Sequence, residues 1–152
     1  MKFYFPLESL LRHRKSLEDV AQRNFHEAQS RAQLVLKKID EMYSLIDLKR
    51  SEIYALESQG GTMVNELQTR DEFIEYTYKK IEIEKVKFRE LQFEADQKRE
   101  ELTQAMLEYK IVEKLKNNKL QEFRKMKSKK EMKFIDDISV MNSSNKRKRE
   151  DL

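Results

Sequence analysis

Apolar residues recur along this chain in alternating steps of four and three. From Ala21 they fall at Phe25, Ala28, Ala32, Val35, Ile39, Met42, Ile46, Ile53 and Leu56, with Lys49 holding one polar position. That spacing is the seam of a coiled coil. Before Ala21 the stripe sits one position earlier, at Leu10 and Leu17. An α-helix drifts in this way against a strict seven-residue repeat. A second series, Ile74, Ile81, Phe88, Ala95, Leu102 and Tyr109, returns every seven residues, and Leu91, Lys98, Ala105 and Val112 fill the alternate positions. The pattern predicts an all-α fold, a long antiparallel two-helix coiled-coil hairpin.

Little interrupts the two series. Pro6 is the only proline and stands where the first turn of a helix tolerates one. Gly60 and Gly61 can take the left-handed backbone that ends a helix, and the plain reading of the pair is a turn. Thr69 to Glu72 reads as a capping box. The expected organisation is therefore one coiled-coil hairpin over residues 1–140. Helix one covers about 6–58, the loop about 59–69 and helix two about 70–140. Residues 141–152 are polar, rich in Ser, Asn and basic side chains, and are expected to be a disordered basic tail. A short loop makes the helices antiparallel neighbours. With Ser58 opposite Arg70, paired numbers add to about 128, so Leu7 faces the region of Gln121 and Phe123 to Val140 project past the N-terminus.

Composition narrows the class further. Apolar residues make up 38% and charged residues 39% of the 152, with two Gly and no Trp. A globular domain has nearer ~45–50% and ~25%. These side chains line a seam; they do not fill a thick core. Cysteine is absent, so disulfides and thiolate chemistry are excluded. His13 and His26 lie about 20 Å apart along a helix and cannot share a metal. No phosphate-binding loop or nucleophile elbow occurs, and adjacent carboxylates such as Glu100 and Glu101 read as solvated charge. No catalytic, cofactor or metal site is expected. No apolar run has the length of a membrane span, and the N-terminus does not read as a signal peptide. The expected setting is cytoplasmic.

Charge is unevenly spread. Lys114 to Lys133 carry nine basic residues and two acidic ones, a local charge of +7, whereas residues 16–113 are net acidic. Three readings compete for this helix. It is a solvated face, a nucleic-acid contact working through phosphate neutralisation, or a basic helix end that docks on an acidic protein surface. Phe123, Met126 and Phe134 favour docking, because charge steers and apolar side chains anchor. The run Lys146–Arg149 keeps nucleic acid open. At the other end Phe3, Tyr4 and Phe5 are three consecutive aromatics, more than one helix partner covers, and imply a contact with another protein.

These residues resemble those of the FliJ family, small proteins of the bacterial flagellar type III export apparatus. At the front the likeness rests on Phe5, Leu7, Leu10, Leu11, Arg14, Glu18 and Ala21. At the back it rests on Glu113–Lys116, Glu122, Lys129, Glu131 and Asp136–Asp137. It covers about residues 3–140. Stalk proteins of virulence secretion systems look similar and remain an alternative, as does a basic coiled coil that binds nucleic acid or serves as a structural element. The resemblance implies a hairpin similar to the stalk part of the rotary ATP synthase gamma subunit, without enzymatic activity. It implies as partners a hexameric flagellar export ATPase, a membrane export-gate protein and substrate-specific export chaperones. No nucleic acid is among them, and the chain would be peripheral at the cytoplasmic face of the inner membrane through these partners. The residues expected at the ATPase ring are Phe5, Leu7, Leu11, Arg14, Leu115, Lys119, Phe123, Arg124, Met126 and Lys127. An exposed patch at the export gate is expected from Met42, Tyr43, Ile46, Phe73, Tyr76 and Thr77.

Overall fold

The computed structural model describes residues 1–60 and 64–151 and is all-α, a pair of long helices in a hairpin. Helix α1 spans Glu8–Ser58 and helix α2 spans Val64–Glu150. The first turn of α1 forms around Pro6, where the Glu8 amide donates to the Phe5 carbonyl at 3.2 Å. The missing N–H of a proline is no loss there. At its far end Gly60 takes φ +70°, and its amide donates to the Glu57 carbonyl at 3.3 Å. A left-handed glycine just past the last turn satisfies carbonyls that would otherwise be orphaned. Gly61, the second glycine of the expected turn, lies outside the described residues together with Thr62 and Met63.

The start of α2 differs from the expectation of about 70. Helix begins at Val64, and the Thr69 hydroxyl donates to the Asn65 carbonyl at 2.8 Å within the helix. Thr69 therefore caps nothing. Its hydroxyl bonds back one turn, as Ser and Thr do in helix interiors. The early start shortens the connection and shifts the register. Glu52 meets Arg70 and Lys38 meets Glu84, pairs whose numbers add to 122. The expected 128 marks the upper edge, reached by Arg50 with Tyr78 and by Tyr43 with Lys85.

The end of α2 differs as well. Helix continues to Glu150, through the segment expected to be disordered. No Gly or Pro follows Gly61, and Lys, Arg and Glu are good helix formers. Arg147, Lys148 and Arg149 in the last turn complement the negative end of the helix dipole.

The chain divides into two compact units. One comprises Leu17–Ala105. Its buried residues are Ala28, Ala32, Ile39, Ile46, Ile81 and Ala95, all at the seam positions read from the sequence. Ile39, Ile46 and Ile81 form a core against which Val35, Met42, Ile74, Tyr78 and Phe88 pack. The same unit buries one polar residue, Thr77, whose hydroxyl donates to the Phe73 carbonyl at 2.7 Å.

The other unit joins Met1–Ser16 with Met106–Leu152. Phe5, Leu11 and Val112 form its core, with Phe3, Leu10 and Tyr109 packed around them. Ion pairs tie the two segments together: Arg14 with Glu108, and Lys116 with Glu8 at 2.9 Å. The Lys15 ammonium sits over the Tyr109 ring at 5.2 Å. From Arg124 to Glu150 every residue of α2 is exposed.

Candidate functional site

The most developed concavity lies in the unit of the chain ends. A groove of about 610 Å³ is walled by Phe3, Tyr4, Phe5, Pro6 and Leu7 on one side. Leu115, Lys119, Glu122, Phe123 and Met126 of α2 wall the other. The local sequence builds it directly. The three aromatics before Pro6 lie outside the helix, and with Pro6 and Leu7 they line the groove against α2. The Phe3 and Phe123 rings then meet at 5.7 Å between centroids, inclined by 53°. That is a favourable tilted arrangement. A second recess of about 230 Å³ continues past Phe123 and Met126 and is bordered by Met1, Lys127, Lys130, Glu131 and Phe134.

Six of the ten residues expected at the ATPase ring border the first groove: Phe5, Leu7, Leu115, Lys119, Phe123 and Met126. Lys127 borders the second recess. Leu11 is 9% exposed and belongs to the core beneath, and Arg14 is engaged with Glu108. Arg124 is exposed and lines neither recess. Leu7, Leu115 and Met126 keep 40%, 40% and 48% of their surface in solvent, a large apolar exposure for so small a patch. Lys119 and Glu122 pair at 3.7 Å along the rim. Phe3, Tyr4 and Glu122 were absent from the expected set. The run of three aromatics was the available signal for the first two.

The residues expected at the export gate separate into two groups. Ile46 and Thr77 are 1% and 4% exposed, and Met42 packs against the Ile39–Ile46–Ile81 core. Ile46 and Thr77 offer almost no surface, and Met42 is half-buried. Thr77 falls fourteen residues before Leu91, on the stripe that continues through Lys98 and Val112, so counting back by sevens locates it in the seam. Tyr43, Phe73 and Tyr76 do reach solvent, each with a cation over its face: Lys85 at 5.6 Å, Lys49 at 5.5 Å and Lys80 at 5.0 Å. Phe73 also borders a recess of about 450 Å³ with Leu45, Lys49, Thr69 and Arg70.

Three ionisable groups of Leu17–Ala105 are shifted from their ordinary values. The Arg70 guanidinium, followed by the Lys49 ammonium, holds the Glu52 carboxyl below its usual value. Lys38 does the same for Glu84 against the opposing effect of burial. The Tyr43 hydroxyl, followed by the Glu82 charge, raises Lys85. These shifts come from ion pairs and hydrogen bonds with neighbouring side chains. Among the described residues no cluster of His, Asp and Glu is arranged to hold a metal, and no helix is long and apolar enough to cross a membrane.

Fold and site together define a helical hairpin with an apolar groove at its paired chain ends beside a basic helix. The family model described as "Flagellar FliJ protein" matches residues 1–148, so the chain belongs to the FliJ family, a family associated with flagellar export. No curated protein and no solved structure matches the chain.

Proposed function

We propose that this protein is a non-enzymatic stalk of the flagellar type III export machinery and that its paired chain ends bind the hexameric export ATPase. One observation carries the reading. The groove between Phe3–Leu7 and Leu115–Met126 brings exposed apolar side chains next to the segment of charge +7. A pore lined by several subunits presents acidic and apolar groups together. Long-range charge steers the helix end to it, and Phe123 and Met126 supply short-range anchoring. The export gate and the substrate chaperones complete the partner set. Of the gate candidates, Tyr43 and Tyr76 are exposed, and Phe73 is half-buried beside a recess. Attachment at the cytoplasmic face of the inner membrane would run through these partners.

The test compares ATPase stimulation and DNA retention for wild type, Phe123→Ala and the combined reversal of Arg124, Lys125 and Lys127 to Glu. The reversal is expected to slow association, and Phe123→Ala to raise the off-rate. DNA binding that follows charge and salt, with an ATPase indifferent to all three proteins, would replace the stalk by a nucleic-acid reading.

A further inference from the structure

Within Leu17–Ala105, α2 carries a second four-three pattern. It consists of Tyr76, Lys79, Ile83, Val86, Glu90 and Phe93. The seam stripe of the same helix runs through Ile74, Thr77, Ile81, Glu84 and Phe88. At ~3.6 residues per turn the two stripes lie on opposite sides of the helix. The outer one is uncovered: Tyr76, Ile83, Val86 and Phe93 are 56%, 67%, 48% and 64% exposed. A solvated helix face has no use for four large apolar side chains in a three-and-four repeat. That repeat is the pattern by which one helix receives another.

The order of residues says which helix. Laid antiparallel on a second copy of itself, the stripe meets its own complement in a single register. Tyr76 faces Phe93, Lys79 faces Glu90 and Ile83 faces Val86, and the two-fold axis makes each contact twice. Isologous interfaces require this self-complementarity. Along one flank Glu82 comes beside Arg89. Along the other Lys80 comes beside Lys87, which limits the affinity. A parallel in-register pairing would instead oppose Lys79 to Lys79 and Glu90 to Glu90, and like charges across a seam are a strong deterrent. Among the described residues Lys79 pairs with Glu75 at 3.9 Å, a solvated contact that a new partner can displace.

We propose that α2 self-associates through the face Tyr76–Phe93, as an antiparallel pair with a second copy of this chain. The pairing is independent of the stalk reading. It covers Tyr76, so self-pairing and gate docking exclude each other at that residue.

The chain has no cysteine, so introduced ones report unambiguously. A mixture of Ile83→Cys and Val86→Cys proteins should form the mixed disulfide in preference to either self-crosslink. In sedimentation equilibrium Lys79→Glu or Glu90→Lys alone should weaken association on the order of tenfold, since each reversal spoils two contacts. The double variant Lys79→Glu/Glu90→Lys should recover it. Circular dichroism on all variants separates lost pairing from lost helix. A wild type that stays monomeric at millimolar concentration overturns the proposal. So does Ile83→Cys that crosslinks best with itself, or a double reversal no better than the singles.

Discussion

Lys38 Nζ lies 3.0 Å from Glu84 Oε1, which joins the helices through a residue on the seam stripe of α2. The Glu84 side chain is 12% exposed, and its second oxygen, Oε2, is buried without a hydrogen bond. An ion pair so placed fixes register at some cost in stability.

Replacing the charge by an apolar group of similar volume should therefore help. Glu84→Leu is expected to raise the urea midpoint by the equivalent of about 1 kcal/mol, whereas Lys38→Met, which strands the carboxylate, should lower it by a similar amount. A lowered midpoint for Glu84→Leu would mean the pair is a net contributor.

The pH dependence follows from the same groups. Glu52 and Glu84 both have folded values below the ordinary 4.5. A depressed carboxyl adds stability that is present in full above its unfolded value and is lost as pH falls through the folded one. Acid unfolding should accordingly begin below about 4.5. Glu52→Gln combined with Glu84→Gln should flatten that limb and leave the neutral range less stable. An unchanged acid limb would rule these two carboxylates out as its source.

Burial separates two kinds of motility defect at the expected gate patch. Ile46→Ala should cost about 2–4 kcal/mol of stability, because it empties a filled core position. Phe73→Ala with Tyr76→Ala should keep helicity, since Ala is the best helix former, while gate binding falls. If Ile46→Ala protein is as stable as wild type in denaturant, the core assignment of Ile46 fails. If the double variant binds the gate normally, Phe73 and Tyr76 are not the contact.

Periodicity made the seam legible from Ala28 on, where Ala28, Ala32, Ile39, Ile46, Ile81, Ala95 and Val112 are buried as the repeat put them, but not before Ala21, where Leu17 is exposed and Leu11 rather than Leu10 is buried. Thr77 and Glu84 were not legible, because hydrophobicity marks a seam only where the seam is apolar. Arg70, Thr77 and Glu84 continue the Leu91–Lys98 stripe in polar residues. Register was misjudged because a capping motif outweighed helix propensity between Val64 and Thr69. The groove needed that register too. Phe3 and Phe123 are far apart in sequence, and nothing local in either stretch announces their stacking. Their aromatic excess announced only that something would cover them.

Beyond Phe123 helix α2 has no neighbouring helix, and its residues are exposed through Glu150. Its backbone order there rests on i to i−4 hydrogen bonds alone, without the packing that supplies most helical stability in proteins. Amide protons in this stretch should thus exchange through local opening, at rates indifferent to the global unfolding free energy. A partner that clamps the stretch would suppress that local opening, and the complex would announce itself as a block of slowed exchange beginning near Arg124.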